Sequence, residues 1–437
     1  MTRLKASVVG SLLIFFFTYY GIINRRIHRT VAAMSGAISM IFLGHWMGFY
    51  DANHAIDYID FNTIGLLLGM MIIVGMLGDT GFFKYISIKI AKFSKGSFYR
   101  LLALLFLVTA FTSAFLDNVT TILLMVPITI SISKELGINP VPFLMAEVIS
   151  SNIGGTMTLI GDPPNIMIGS AANIHFIQFI IYLAPIVIIV LFIILLVFEL
   201  FYHDLLNKEM INFDRICKME PDSTITDYNL FIKTVFVLLI TIILFTFHHI
   251  LGLEPWVVAV MGASVLLLLT LTDPEQALKH VHWETLLFFM GLFIVIGGLH
   301  SAGVIEVIAL EIEAISGQDL VLSLFIILMI SGIFAIAMGN IPAAIILIPV
   351  VGIYISHTGV GSGFLINPLW WALSLGTCFG GNGTLLSAPA NLVISNISGK
   401  MGVPISFWNY AKTALPLTFF SLILSFVFLW LFYIVLL

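Results

Sequence analysis

The feature that most restricts the fold is a polar stretch, residues 150–165, that lies between two hydrophobic segments. Its adjacent prolines, Pro163 and Pro164, remove two backbone N–H donors and disfavour helical geometry in the residue before them, so no continuous helix can run through it. Gly154 and Gly155 add conformational freedom. At membrane depth the freed backbone groups must be buried in protein or line a polar cavity, because lipid offers no hydrogen-bond partners. Such broken helices are typical of binding sites in transporters.

Residues 376–391 repeat this pattern in the second half of the chain. At an offset of 226 positions, several residues of unusual type in the first stretch meet an identical residue in the second. The pairs are Gly154/Gly380, Gly155/Gly381, Thr158/Thr384, Leu159/Leu385, Pro163/Pro389 and Asn165/Asn391, and an offset of 222 adds Asn118/Asn340 and Pro127/Pro349. This agreement predicts two internal repeats, at about residues 60–173 and 282–399.

The composition is that of a membrane protein. Hydrophobic residues make up 60% of the chain and charged residues 9%, whereas a soluble domain carries about 25% charged residues. Successive apolar runs are long enough to cross a bilayer as helices. We therefore expect an all-α polytopic protein in the lipid bilayer of the bacterial cytoplasmic membrane, with no nucleic-acid partner. The two cysteines argue against a disulfide framework.

The distribution of Lys and Arg orients the repeats, because basic segments next to membrane spans stay in the cytoplasm. Residues 82–100 carry four lysines and one arginine and no acid, whereas the equivalent residues 304–322 carry no Lys or Arg. Equivalent elements therefore face opposite sides. Residues 51–60, with three aspartates and no Lys or Arg, are placed outside. This predicts two inverted-topology repeats with re-entrant hairpins and broken helices, in which one half moves against the other around a midplane site.

The polar and apolar segments divide the chain into six parts. We expect the two repeats to be separated by a polar linker and flanked by spans that serve as a scaffold. The parts are N-terminal scaffold spans (1–59), a first repeat with broken helices and the glycine-rich loop (60–201), the linker (202–228), further scaffold spans (229–281), the second repeat (282–399) and a C-terminal span (400–437).

Three acidic residues lie in apolar surroundings near predicted helix breaks: Asp117, Glu147 and Asp162. An ionisable group at membrane depth is costly, so each is a candidate for carrying H⁺ or Na⁺. Other interpretations stay open at this point. Asp117 and Asp162 could cap half-helices, and Glu147 could pair with Lys134 instead of facing a cavity.

Polar groups of the broken stretches complete the candidate substrate or ion site. Oxygen atoms of unwound backbone, hydroxyls and amides suit Na⁺, while half-helix N-termini attract anions. Besides Asp117 and Asp162, the candidates are Asn118, Ser151, Asn152, Gly154, Gly155, Thr156, Thr158 and Asn165 in the first half, and Asn340, Thr377, Gly380, Gly381, Asn382, Thr384 and Asn391 in the second. Cys378, beside the second glycine pair, could touch a soft metalloid or be a small buried residue.

Several of these motifs resemble a known family. Residues 115–121 (Phe-Leu-Asp-Asn-Val-Thr-Thr), 152–155 (Asn-Ile-Gly-Gly), 160–165 (Ile-Gly-Asp-Pro-Pro-Asn) and 380–385 (Gly-Gly-Asn-Gly-Thr-Leu) are similar to the ion transporter superfamily. The likeness is to its group of arsenite pumps, Na⁺/H⁺ antiporters and melanosomal P protein, with a citrate-transporter-like domain, and covers about residues 30–437. The resemblance implies elevator-type alternating access, usually as a homodimer.

Two departures from the P-protein pattern concern the second repeat. Gly339 stands where the pattern has an aspartate, and Ala388 stands opposite Asp162. The acidic groups thus lie in the first half alone, which argues against a symmetric two-cation site. The Gly-Asp-Pro-Pro-Asn run also separates the chain from bacterial arsenite pumps, which weakens arsenite as the substrate.

Together the residues predict a secondary active transporter and not an enzyme. We expect H⁺ or Na⁺ coupling through Asp117, Asp162 and Glu147, and efflux of a small inorganic solute, arsenite, antimonite or Na⁺, in exchange for protons. Two alternatives keep the fold: Na⁺-coupled uptake of a di- or tricarboxylate, and a passive anion channel. No cofactor is expected besides the coupling ion.

Overall fold

The computed structural model describes residues 2–24, 26–202 and 213–435, and every regular element within these ranges is a helix. Of the expected linker, residues 203–212 lie outside the described part of the chain. Eleven described helices are long and apolar enough to cross a membrane. The prediction of an all-α, multi-pass integral membrane protein is therefore confirmed.

The helices follow one another with short connections. In the first half they are α1 (Thr2–Ile23), α2 (Arg29–Met47), α3 (Ala52–Asp57), α4 (Phe61–Asp79), α5 (Phe82–Phe93), α6 (Phe98–Phe115), α7 (Asn118–Leu136), α8 (Val141–Gly155), α9 (Pro163–Ala172) and α10 (Phe176–Phe201, with a π-turn at Phe179–Leu183). In the second half they are α11 (Phe213–Cys217), α12 (Tyr228–Phe247), α13 (Pro255–Thr270), α14 (Pro274–Leu278), α15 (Trp283–Ser301), α16 (Val304–Ser316), α17 (Leu320–Met338), α18 (Asn340–Thr358), α19 (Pro368–Gly380), α20 (Pro389–Lys400) and α21 (Phe407–Trp430).

Short polar residues set where the apolar helices begin. The Asp60 carboxylate accepts hydrogen bonds from the backbone N–H of Asn62 at 3.0 Å and of Thr63 at 3.3 Å, at the start of α4. Asp319 does the same for α17, accepting from Leu322 N at 2.7 Å. These side chains satisfy N–H groups that have no partner within the helix, so each apolar run has a defined first turn.

The helix boundaries reproduce the internal repeat. The starts of α4 and α15, α5 and α16, α6 and α17, and α7 and α18 are all separated by 222 residues, and those of α9 and α20 by 226. Gly81 and Gly303, which precede α5 and α16, both have a positive φ, of 82° and 85°. The extra residues of the second repeat lie in its longer α18–α19 connection, residues 359–367.

The helices pack as two groups. The scaffold group contains α1, α2, α4, α12, α13 and α15, in which α4 packs against α13 and α2 against α15. The core group contains α6 to α10 and α17 to α21, in which α6 packs against α8, α17 against α19 and α10 against α21. The groups meet where α4 contacts α9 and α15 contacts α18. Each repeat therefore contributes to both groups.

Gly154 and Gly380 serve helix packing, and of the two glycine pairs Gly381 alone lies in an unwound stretch, which corrects the expectation that both pairs do. Gly154 and Gly155 are the last residues of α8, and the break follows them at 156–162. A Cβ at Gly154 would lie 2.1 Å from the Ala110 carbonyl oxygen of α6. Gly380 approaches the backbone of α17 in the same way. Small residues allow this close approach of helices in a membrane protein.

Replacing Gly154 by alanine should lower stability, because the new methyl group meets backbone that cannot move aside. We expect a loss of about 1–3 kcal/mol, the usual cost of overpacking, and a lower midpoint of thermal unfolding for the purified protein. Gly399→Ala is the matched control, since a Cβ there meets nothing within 4 Å and alanine favours a helix. Equal midpoints for the two variants would contradict this packing role.

Candidate functional site

Four interruptions of the helices meet in the core group. Two are the hairpin tips, at residues 116–117 between α6 and α7 and at Gly339 between α17 and α18. The other two are the unwound stretches 156–162 and 381–388, which separate α8 from α9 and α19 from α20. Hydrogen bonds between side chains join all four, so the structure brings together the polar segments that the sequence singled out.

Asp162 occupies the centre of this arrangement and is fully buried. Asn118, from the first hairpin tip, donates from Nδ2 to Asp162 Oδ1 at 3.2 Å. Asn340, from the second tip, donates to both carboxylate oxygens, at 3.2 and 3.3 Å. Although Asp162 stands at the N-cap position of α9, its side chain accepts no cap hydrogen bond there. The carboxylate is thus available to both hairpin tips.

Asn152 carries the hydrogen-bond network from one repeat to the other. Its Oδ1 accepts from Asn118 Nδ2 at 3.1 Å. Its Nδ2 lies 2.9 Å from Asn382 Oδ1 and 3.0 Å from Asn391 Oδ1. A chain of buried amides therefore runs from the first hairpin tip to the second unwound stretch.

In each repeat one asparagine closes the unwound stretch. Its side-chain amide donates to two backbone carbonyls that the missing helix turn leaves without partners, as buried backbone requires. Asn165 lies 3.0 Å from Thr156 O and 2.9 Å from Thr158 O, and Asn391 lies 2.7 Å from both Gly381 O and Thr384 O. The two asparagines and the Thr158 and Thr384 carbonyls are equivalent at the offset of 226, so these asparagines shape the loops in corresponding ways.

Most of the predicted hydroxyl groups also donate hydrogen bonds, either to their own helix or to a neighbouring one. Thr156 Oγ1 donates to Asn152 O and Thr377 Oγ1 to Leu373 O, both at 2.8 Å. Thr158 Oγ1 donates to Ala114 O, and its counterpart Thr384 to Ile336 O at 3.3 Å. Ser151 Oγ donates to Ser113 Oγ at 3.1 Å. Each of these hydroxyl groups donates its hydrogen to another group of the protein, while its oxygen atom keeps lone pairs.

Asp117 has the contacts of a helix cap. Its carboxylate accepts from the backbone N–H of Val119 at 2.9 Å and of Thr120 at 3.0 Å, and also from the Thr120 hydroxyl. The structure thus favours the capping interpretation for Asp117. The same residue borders a small cavity beside Pro163 and Pro389, where α9 and α20 begin.

Glu147 is a residue of α8 and faces α7, away from the asparagine network. It is fully buried, and Thr129 Oγ1 donates to its Oε1 at 2.5 Å. Its other oxygen, Oε2, has no hydrogen-bond partner among the described residues. The expected alternative of a pair with Lys134 is wrong, because Lys134 Nζ donates to Met401 O at 3.0 Å.

The buried charged residues of the described chain are acidic. Asp117, Glu147 and Asp162 are buried, and no Lys or Arg among the described residues is. Arg29 is half-buried, lies over the Phe288 ring at 5.5 Å and lines a cavity beside the second hairpin tip. At the centre, Asn118 Oδ1 is buried and has no hydrogen-bond donor among the described residues.

Some site residues were not predicted from the sequence. Ser374 Oγ donates to Asn165 Oδ1 at 2.6 Å, and Ser387 accepts from Thr384 N at 2.9 Å. Ser387 could have been found by its position, because at the offset of 226 it stands opposite Gly161 in the second unwound stretch. Ser374 lies in an apolar helix and offers no such signal. Cys378 is buried, with Sγ 3.5 Å from Asn165 Oδ1.

Comparison with known proteins relates this arrangement to membrane transporters. A family model described as "Citrate transporter" matches residues 19–376. The uncharacterized transporter Rv2684 of Mycobacterium tuberculosis is 38% identical over 434 residues, which cover 98% of this chain and 99% of that protein. The P protein of Mus musculus is 30% identical over 495 residues, which cover 95% of this chain and 59% of that protein.

Two solved structures share the fold. The YdaH transporter of Alcanivorax borkumensis superimposes with a TM-score of 0.59 and 13% identity, covering 97% of this chain and 98% of that one. MtrF of Neisseria gonorrhoeae, described within a class of antimetabolite efflux pumps, has a TM-score of 0.61 and 12% identity, covering 98% and 94%. At these identities the likeness concerns the fold alone.

Removing one amide donor should expose how strongly the hairpin tips hold Asp162. We expect Asn340→Ala to lower the free energy of unfolding by about 1–3 kcal/mol, because a buried carboxylate loses donors. In the Asp162→Asn background the same change should cost less, since no charged acceptor remains. Thermal unfolding of the four proteins of this cycle measures the coupling, and Asn396→Ala, on the exposed face of α20, is the control. Additive losses would contradict the bridge.

Proposed function

The chain belongs to the citrate transporter family of membrane proteins, and from this premise we propose that it is a secondary transporter that exchanges Na⁺ for protons at Asp162. The activity expected from the sequence, efflux of a small inorganic solute against protons, included arsenite and antimonite as well as Na⁺. Among these solutes we favour the alkali cation, because the groups around Asp162 are oxygen ligands.

The observation that carries the proposal is the surplus of buried oxygen acceptors around Asp162. Among the described residues the Asn118 Oδ1 atom has no donor, and the Asp162 carboxylate is bonded only to neutral groups, the amides of Asn118 and Asn340 and the thiol of Cys378. A buried charge without a counterion is costly, so this carboxylate is stable when it holds either a proton or a cation. Because one group accepts either ion but not both, the two compete, and competition at a site reached from both sides produces exchange. Carboxylate and amide oxygens are ligands for hard cations.

Glu147 supports proton coupling from a second position. Its Oε2 is buried without a partner in the part of the chain that the structure describes, and its Oε1 receives a single hydroxyl hydrogen bond. Such a group is stable as the neutral acid, because ionising it would leave an unpaired charge in an apolar interior. We assign Glu147 the role of carrying a proton and Asp162 the role of binding either a proton or Na⁺. Asp117 then acts mainly by capping the first hairpin.

The division into two packed groups supports alternating access of the elevator type. The core group holds the entire hydrogen-bond network and meets the scaffold group along α4 and α15. In this proposal the core group slides as a unit and carries the site past the scaffold. A homodimer formed through the scaffold groups would hold the scaffold still in the bilayer. The transported ions are the only small partners required, and no cofactor takes part.

A second candidate is Na⁺-coupled uptake of a di- or tricarboxylate. It is favoured by the description of the family model and by the cavity in which Arg29 lies near the N-terminus of α20. A helix N-terminus and a guanidinium attract carboxylates. Against it stand the buried acids Asp117 and Asp162, which would repel a multiply charged anion.

The proton-exchange proposal is tested in everted membrane vesicles of an antiporter-deficient bacterium. After a pH gradient is imposed, Na⁺ or Li⁺ should dissipate it. Asp162→Asn should abolish this response, because the variant can release no proton. Asp117→Asn should keep exchange within about threefold of the parent, because asparagine caps a helix as well as aspartate does.

Other outcomes separate the alternatives. Loss of exchange in Asp117→Asn with retention in Asp162→Asn would reverse the two assignments. A response to arsenite alone would identify a metalloid pump. Uptake of labelled citrate or succinate driven by a Na⁺ gradient, without any proton exchange, would support the carboxylate candidate, and flux that follows the membrane potential without saturation would indicate a passive anion channel.

A further inference from the structure

Three histidines form a compact cluster at the end of the molecule where α9 finishes, away from Asp162. The ring centroid of His175 lies 5.4 Å from that of His248 and 5.0 Å from that of His249, and the latter two are 6.0 Å apart. His175 precedes α10 of the core group, whereas His248 and His249 follow α12 of the scaffold group. The cluster therefore spans the seam between the two groups.

The charge pattern of the sequence places this end of the molecule outside. A cavity of about 100 Å³ beside the histidines is also lined by Asn62, at the start of α4, and α4 follows the acidic segment 51–60. The remaining polar residues around this cavity come from both groups. They are Ser170 and Asn173 at the end of α9, the histidines His175 and His248, and Glu254 before α13.

One nitrogen in the cluster has no hydrogen-bond partner among the described residues. Nδ1 of His248 lies 2.9 Å from the carbonyl oxygen of Leu253, so a neutral His248 carries its hydrogen on Nδ1. Its Nε2 then presents a lone pair, and this atom is buried without a hydrogen-bond partner among the described residues. His248 is 4% exposed, His175 is half-buried and His249 is exposed, so protons reach the cluster from the His249 side.

We propose that the histidine cluster is an outer proton-binding site, separate from the transport site, and that proton binding there loosens the seam between the scaffold and core groups. Neutral imidazoles pack face to face and edge to face without penalty. A second positive charge in the cluster repels the first at short range. Glu254 offsets one charge and is the one acidic residue among the described residues that line the cavity, so two protonated rings are not compensated.

The direction of the pH effect follows from the surroundings of His175. Burial, together with the nearby His248 and His249, lowers the pKa of His175 below its ordinary value of 6.5, and Glu254 opposes this in part. When the seam opens, His175 gains water and its pKa returns toward that value. The open form therefore binds more protons than the closed form below about pH 6.5, so acid on the outside favours opening.

Cysteine labelling tests the seam directly and without transport. Ile174 is 4% exposed and lines the cavity, while Ala171 is exposed three residues earlier. We would place Ile174→Cys or Ala171→Cys in a Cys217→Ser background, since Cys217 is exposed and Cys378 is buried, and apply a membrane-impermeant maleimide from outside. The ratio of the two labelling rates cancels the pH dependence of the thiol reaction.

Between pH 7.5 and 5.5 we expect this ratio to rise at least threefold, and His175→Gln should abolish the rise. A ratio that stays constant, or that rises equally in His175→Gln, would overturn the proposal. His249→Gln, an exposed position, provides a second variant if His175→Gln does not fold, and it should reduce the rise.

This inference can fail separately from the proposed exchange reaction. In vesicles with the outer face accessible, His175→Gln should flatten the outer-pH dependence of transport without changing the requirement for Asp162. If Na⁺ exchange is absent but the labelling ratio still responds to pH through His175, the proton site stands and the transported ion is another.

Discussion

A single buried carboxylate joins the two repeats of this protein at their most polar point. Asp162 receives one amide from the first hairpin tip and one from the second, and neither tip could leave it without removing hydrogen-bond donors from a buried carboxylate. The surrounding geometry follows from this bridge. Helices α8 and α9 must be separated for Asp162 to face both tips, the loop between them needs a clamp, and Asn165 provides it. The glycine contacts of α8 and α19 then bring the broken helices close enough for the amides to meet.

Much of the fold could be predicted from the sequence, because its determinants are local. Apolar length indicates the spans, adjacent prolines indicate the break before α9, and the offset of 222 is reproduced by the starts of four helix pairs. The roles of individual side chains were harder to predict. Asp117 and Asp162 look alike as acids in apolar segments, yet one caps a helix and the other is left to the hairpin tips. Which backbone N–H groups point at a carboxylate depends on the residue at which the helix starts. A shift of that start by one or two residues separates a capping aspartate from one that does not cap.

Hydrogen-bond partners from distant segments could not be predicted from the sequence, for a different reason. A serine or threonine in an apolar helix usually bonds to its own backbone, so Ser374 and Thr129 carry no sign that they serve Asn165 and Glu147. The two repeats have also diverged in chemistry. The first supplies the acids, whereas Gly339 and Ala388 replace them in the second, which supplies amides. The shared backbone plan therefore predicts where a residue lies better than what it does.

The clamp on the first unwound stretch has a consequence for biosynthesis. Asn165 holds the loop carbonyls with its amide, but its own oxygen is completed by Ser374, a residue 209 positions later in the chain. At about 5–20 residues per second, Asn165 waits on the order of 10–40 s after its synthesis before this partner exists. During that interval its broken helix enters the bilayer with unpaired polar groups. The insertion machinery, or water retained beside it, must shelter this segment until the second repeat arrives.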